Sequence, residues 1–141
     1  MSDLEIPRFA ISIRQPWAWC IVHAGKEIEN RSWYSKFRGP LAIHASKGMK
    51  KDEYEECLSW TRHVNLHRPL PNGLVMPGFK ELQRGGIVGI ATVTGCVSEH
   101  SSPWFMGRFG FVLSEVKPVE FIPVKGELGF FDWRRNLAKA A

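Results

Sequence analysis

Three charged residues near the start of the chain have the types and the spacing that could support chemistry. Lys26, Glu29 and Arg31 form the pattern Lys-x-x-Glu-x-Arg directly after Gly25. Lysine supplies a point charge and arginine a planar fork of donors, so both can meet a phosphate or a base edge. Glu29 can orient Lys26 or accept a hydrogen bond from a base amino group. The alternative is a salt bridge with a purely structural role.

The same residues could instead catalyse hydrolysis. Lys26 could stabilise a developing phosphorane, and Glu29 could act as general base toward a 2′-hydroxyl or a water. Their relative position decides whether they cooperate, because alternation along a strand from 26 to 33 puts Lys26 and Glu29 on opposite faces. They can meet only if the chain bends or if Lys26 lies in the turn before the strand.

Local patterns predict the elements that position this motif. Pro16 favours the first turn of a helix, and Gly25 favours the left-handed residue that commonly ends one. Glycines inside strands favour a mixed, bent sheet that curls into a barrel. The predicted strands are 10–13, 26–33, 41–45, 87–97 and 109–121, the last with an interruption at 117–118; the predicted helices are 17–24 and 50–63, and 65–83 is a predicted loop.

Composition restricts the class of protein. The 141 residues fit one domain, and the hydrophobic content of 44% is ordinary. The 19 Lys and Arg residues exceed the 14 Asp and Glu residues, and the formal charge of +5 is compatible with a polyanionic partner. We expect a cytoplasmic protein without a membrane partner, because residues 1–8 do not resemble a signal peptide and no apolar run approaches the roughly 20 residues of a membrane span.

No metal site and no cofactor are predicted. The three cysteines are odd in number and widely spaced, which argues against a disulfide framework and a Cys-x-x-Cys zinc site. His63 and His67 have helical spacing, but no glutamate follows His63 and Pro69 ends any helix. Residues 98–100 are serine, glutamate and histidine, yet catalytic triads are assembled across a fold, so their adjacency means little.

Six blocks of sequence occur in an order that is typical of one known family. They are 12–18, 25–31, 38–47, 86–89, 102–105 and 125–131. Together they resemble the ASCH (activating signal cointegrator homology) domain family, which is similar in fold to PUA domains. The resemblance implies an α+β fold, a PUA-like bent β-barrel of about five to six strands flanked by two to four helices. We expect one domain at 8–133, with short extensions at 1–7 and 134–141.

The resemblance also implies a cleft for RNA or a nucleobase. We predict an RNA-binding protein with a basic cleft around Lys26, Glu29 and Arg31, with single-stranded RNA as partner and DNA left open. The alternative is a hydrolase of RNA phosphodiesters or of an acylated nucleoside such as N4-acetylcytidine, with Lys26 and Glu29 catalytic. Small relatives with the second activity resemble Lys-x-x-Thr-x-Arg, whereas Glu29 stands at the threonine position here. A protein-interaction module using Arg134 and Arg135 is a third hypothesis.

Further residues are predicted to extend the cleft along a nucleic acid. Arg14, Gln15 and Trp17 lie where a strand meets a helix, a place that favours anions and where a tryptophan can stack on a base. Trp104 is a second candidate platform for a base, and Lys125 extends a basic rim. The alternatives are a core position for the tryptophans and a solvated loop for the lysines. Backbone-phosphate contacts are predicted for Ser46, Lys47, Lys50 and Lys51.

Overall fold

A six-stranded mixed sheet curls into a half-barrel and carries three helices in the computed structural model, which describes residues 5–138. The strands are β1 (Phe9–Ile13), β2 (Ile28–Arg31), β3 (Gly39–Ala45), β4 (Gly86–Val97), β5 (Phe109–Pro123) and β6 (Phe130–Asp132). The helices are α1 (Trp17–His23), α2 (Lys51–His67) and α3 (Arg134–Ala138). This α+β arrangement confirms the predicted PUA-like bent barrel.

The sheet has the strand order β2-β5-β4-β3-β1-β6, so β2 and β6 form its two edges. Strands β1 and β3 are parallel, and the other neighbours are antiparallel. The long pair β4–β5 changes register in three places, and Glu115 has a positive φ of 52°. Bulges of this kind bend and twist a sheet. The predicted interruption at 117–118 is absent, because β5 continues through both residues.

Glycine allows the first helix to lie close to the curled sheet. A Cβ atom at Gly89 of β4 would lie 2.7 Å from a methyl carbon of Val22 in α1. The helix can therefore bury Ala18 and Ile21 against the sheet. The core cluster between α1 and the sheet also contains Ile11, Ile13, Leu41, Ile43, Ala45, Val88, Ala91, Val93, Phe111 and Leu113.

Helix α2 shares a buried apolar cluster with α1 and is longer than predicted. It ends at His67 rather than His63, because Val64 continues its buried face. The chain leaves the helix at Arg68, immediately before Pro69, and a residue that precedes proline disfavours helical geometry. Apolar side chains of both helices pack together with Trp104, which is completely buried.

The described parts of both termini pack against the sheet. Ile6 and Trp133 are buried in one cluster with Phe131, and the Trp133 ring nitrogen donates to the Pro7 carbonyl at 2.8 Å. The extensions predicted at 1–7 and 134–141 reach beyond the described residues at both ends. Within residues 5–138, no helix has the length and apolar character needed to cross a membrane.

Candidate functional site

A cavity of about 590 Å³ opens between β1, the start of α1, β2 and the loop before β5. We call it the cleft. All three residues of the Lys-x-x-Glu-x-Arg motif contribute to its walls, although they belong to a turn and a short strand. Its lining consists of Ser12, Ile13, Arg14, Trp17, Lys26, Glu29, Asn30, Arg31, Glu56, Met106 and Gly107.

Lys26 lies in the turn before β2, which is the second of the two arrangements that would allow it to meet Glu29. Gly25 makes this turn with a φ of 78°, a conformation that glycine adopts without strain. The Lys26 ammonium is only 2% exposed; it donates to the Ile28 carbonyl and lies 3.7 Å from Glu29 Oε1. It also lies 5.8 Å from the centre of a Trp17 ring.

Glu29 and Arg31 share one face of β2, as strand alternation requires. Arg31 Nε lies 2.9 Å from Glu29 Oε2, close enough for an ion pair but without the alignment of a hydrogen bond. Arg31 Nη2 donates to the Ser12 carbonyl at 2.7 Å. Because β2 is an edge strand and β1 lies near the opposite edge, this bond bridges the opening of the half-barrel. The residues that form the structural ion pair are therefore the same residues that would face a ligand in the cleft.

Burial controls the protonation chemistry of Lys26. Removal from water lowers the pKa of its ammonium below the ordinary value, whereas the Glu29 carboxylate opposes that change. A buried ammonium is tolerated when a counter-charge and hydrogen-bond acceptors lie close by. Glu29 is therefore the shared partner of two cations, and no other carboxylate of residues 5–138 lies within ion-pair distance of either.

An ion pair lies at the mouth of the cleft. The Arg14 guanidinium donates to both oxygens of Glu53, at 2.5 and 2.6 Å, and so joins the end of β1 to the start of α2. This contact lowers the pKa of the Glu53 carboxyl. Glu53 also accepts a hydrogen bond from the Lys50 amide at 3.0 Å, which satisfies a free donor at the helix start.

The family model for the ASCH domain matches residues 11–121, from β1 to near the end of β5. The chain belongs to the ASCH domain family. The match includes the motif and the whole cleft lining, and it confirms the resemblance stated above. Membership is consistent with RNA binding at the level of the family. Comparison with curated proteins yields no match to the chain.

Not all predicted residues of this ASCH domain reach the cleft. Gln15 is 2% exposed; its side chain donates to the Gln83 carbonyl and accepts from the Trp19 amide, so both of its polar ends are used locally. It contributes instead to a separate cavity of about 410 Å³. Trp104 is 0% exposed, so its ring has no open face on which a base could stack. Trp17, which is half-buried, is the tryptophan that lines the cleft.

Six cleft residues were not predicted from the sequence: Ser12, Ile13, Asn30, Glu56, Met106 and Gly107. Asn30 holds the loop before β5 against β2, since its side chain donates to the Trp104 carbonyl and accepts from the Met106 amide. Its position between Glu29 and Arg31 was the sequence feature that could have marked Asn30 as a cleft residue. Glu56 and Gly107 reach the cleft only through tertiary packing, and no local pattern marks them.

The residues predicted to contact phosphates or to extend the basic rim fall into two groups. Ser46, Lys47 and Lys125 line a second cavity of about 850 Å³, which also includes Ser12 of the cleft. Lys50 and Lys51 are exposed at the start of α2 and line neither cavity. Within residues 5–138, no group of three His, Cys, Asp or Glu side chains is placed to hold a metal ion.

Proposed function

We propose that the cleft of this ASCH domain binds an unstacked base of single-stranded RNA. The observation that carries the proposal is the presence of Trp17, Glu29 and Arg31 in the walls of one cavity. An indole stacks on a base, a guanidinium donates to ring nitrogens and carbonyls, and a carboxylate accepts from an exocyclic amino group. Together the three groups can stack on one base and hydrogen-bond to its edge.

Lys26 is a positioning residue in this proposal. Its ammonium is buried and already bound to the Ile28 carbonyl, so it has little contact with the open part of the cleft. It orients Glu29 from behind, while Arg31 approaches the other carboxylate oxygen. A carboxylate held from two sides loses little freedom when a base binds, and such preorganisation favours affinity.

A single strand fits the cleft better than a duplex. The cavity between the walls has a volume of about 590 Å³, so a base must leave its stack to enter it. Sequence-specific recognition of RNA generally uses such unstacked bases. The formal charge of +5 favours approach of any polyanion but does not select among them.

The test is fluorescence anisotropy of labelled single-stranded RNA octamers with wild type and Trp17→Leu. Stacking on an aromatic residue contributes about 1–3 kcal/mol per base, so we expect affinity to fall by about 5- to 150-fold. Trp60→Leu is the matched control, because Trp60 is also half-buried but lies on α2 outside the cleft. Absence of binding by the wild type, or equal losses in the two variants, would exclude the proposal.

Hydrolysis is a second candidate function, and the Lys26–Glu29 pair favours it. The two side chains lie 3.7 Å apart, and burial lowers the pKa of the lysine. Lowered lysine pKa values and close acid–base pairs are common in catalytic sites. Because no threonine stands at position 29, water activated by Glu29 would be the nucleophile toward an acylated nucleoside.

Two assays on the wild-type protein test for hydrolysis. One follows the ultraviolet absorbance of N4-acetylcytidine, and the other follows a labelled RNA on a denaturing gel with magnesium present. Turnover in either assay would assign the reaction. No product in either, together with tight RNA binding, would leave binding as the function of the cleft.

A further inference from the structure

The second cavity differs from the cleft in how its charges are arranged. It is lined by three exposed cations, Lys47, Arg84 and Lys125, and we call it the basic cavity. Among residues 5–138, no carboxylate lies within ion-pair distance of these three side chains. Its remaining lining residues are Ser12, His44, Ser46, Gly85, Pro123, Val124, Gly126, Glu127 and Leu128.

The floor of the basic cavity is a network of uncharged groups, in which Ser12, His44 and the Val124 carbonyl are hydrogen-bonded in series. His44 Nε2 lies 2.7 Å from the Val124 carbonyl, which can only accept, so this nitrogen carries the proton. His44 Nδ1 then accepts from the Ser12 hydroxyl at 3.0 Å. Burial lowers the pKa of His44, which favours the neutral ring. This hydrogen-bonded network anchors the segment after β5, which carries Lys125.

The one acidic side chain in the wall is already engaged. Glu127 Oε2 accepts from the Asn136 amide at 3.1 Å, and the same amide donates to the Lys125 carbonyl at 2.8 Å. Arg84 lies over the Phe79 ring and donates to the Lys47 backbone carbonyl at 3.3 Å, so its guanidinium is held beside the Lys47 backbone. The cavity thus presents an excess of positive charge on a fixed frame.

We propose that the basic cavity binds the phosphodiester backbone of the strand whose base occupies the cleft. This inference rests on the proposed function. No Phe, Tyr or Trp side chain lines the basic cavity, and the His44 ring is only 2% exposed, so the cavity offers no open stacking platform. Lysine and arginine, in contrast, match phosphate oxygens. Ser12 belongs to both linings, so the two cavities are neighbours and one strand can occupy them in succession.

The test measures the salt dependence of RNA binding. Fluorescence anisotropy with labelled U8, A8 and C8 is recorded from 50 to 200 mM salt for wild type and Arg84→Gln/Lys125→Gln. For single strands, each phosphate contact contributes about 0.7 to the slope of log K against log salt, so we expect the slope to fall by about 1.4. Phosphate contacts carry no base information, so affinity should fall by the same factor for all three RNAs.

The control is Lys36→Gln/Arg62→Gln, which removes the same charge from exposed positions outside both cavities. An equal change of slope in this control would overturn the inference, because general electrostatic attraction would then explain the effect. An unchanged slope in Arg84→Gln/Lys125→Gln, with binding still lost in Trp17→Leu, would overturn this inference alone. Absence of wild-type binding to all three RNAs would overturn it together with the proposed function.

Discussion

The cleft and the basic cavity share Ser12, but the cations of the cleft are paired with a carboxylate whereas those of the basic cavity, within the described part of the chain, are not. In the cleft, Lys26 and Arg31 both face Glu29, and the lysine is almost completely removed from water. In the basic cavity, Lys47 and Lys125 are exposed and have no acidic neighbour within ion-pair distance among residues 5–138.

The two arrangements of charge suit different tasks: one fixes the geometry of ligand groups, and the other attracts polyanions. Buried, mutually paired charges are held in place and are weakly screened by salt, so they can define which ligand group fits. Exposed cations attract any polyanion, and salt weakens that attraction. A chain that uses both can read a base in one cavity and gain affinity from the backbone in the other.

The largest expected effect on stability comes from replacing Glu29 in the cleft, and Glu127 in the basic cavity provides the comparison. Glu29→Gln leaves Lys26 and Arg31 without their shared carboxylate, and breaking a buried ion pair typically costs about 3–5 kcal/mol. We expect the free energy of unfolding to fall by about 3 kcal/mol in urea denaturation. Glu127→Gln, at an exposed position, should change it by less than about 0.5 kcal/mol. Similar losses in both variants would contradict the contrast between the two cavities.

The next effect concerns the tight packing beneath the basic cavity. A Cβ atom at Gly126 would lie 2.5 Å from His44 Cε1 and 2.6 Å from Ser12 Oγ, so Gly126→Ala must displace the segment that carries Lys125. Overpacking of this kind costs about 1–3 kcal/mol, and thermal denaturation should show it. Gly95→Ala is the control, since its Cβ would lie 3.8 Å from Val112 in ordinary contact. A fully stable Gly126→Ala would show that the floor is loosely packed.

A smaller effect is expected from pH, through the buried His44 of the basic cavity. Because burial lowers the pKa of His44 from 6.5, the unfolded chain binds its proton more readily than the folded one. The stability present above pH 6.5 is therefore lost as the pH falls below that value. In His44→Asn, the decrease in melting temperature between pH 7 and 5 should be smaller.

His23 modifies this experiment because burial lowers its pKa in the same direction. The melting temperature of the double variant His23→Gln/His44→Asn should therefore depend less on pH than that of His44→Asn alone. The carboxyls of Glu27 and Glu53, whose pKa values are lowered from 4.5, act at lower pH and do not enter this window. An unchanged decrease in His44→Asn would mean that the ring is not the responsible group.

The smallest effect is expected at the mouth of the cleft. The Arg14 side chain is 47% exposed, so solvent screens its bidentate pair with Glu53. Exposed pairs contribute about 0.2–1 kcal/mol, and Arg14→Gln should lower the free energy of unfolding by about 0.5 kcal/mol. In 0.5 M salt the difference between the variant and wild type should shrink further. A loss comparable to that of Glu29→Gln would place this pair among the buried ones.

Short-range patterns were sufficient to predict most elements of the fold. The strand predicted at 10–13 is observed at Phe9–Ile13, and the helix predicted at 17–24 at Trp17–His23. Gly25 has the predicted left-handed conformation. The motif strand is shorter than predicted, since only Ile28–Arg31 pairs with β5. Pairing depends on the neighbouring strand, and a local pattern carries no information about where that strand ends.

The candidate site was predicted only in part. The motif residues lie together in one cavity, and Lys47 and Lys125 share another. Trp104 and Gln15 have residue types that suit a base, but packing places one in the core and directs the other to backbone groups. Residue type alone cannot distinguish these outcomes, because burial is decided by which elements pack above a side chain.

The sequence by itself determined the family, the bent sheet and the common face of Glu29 and Arg31, because these follow from ordered blocks and from alternation along a strand. Tertiary structure decided the rest. The curl of the sheet brings Arg31 to Ser12, and the register of β1 against β3 places Ser12 beside His44 in a cavity wall that Arg84 and Lys125 also line. These contacts join residues far apart in the chain, and they form only when the sheet closes on itself and its strands pair in register.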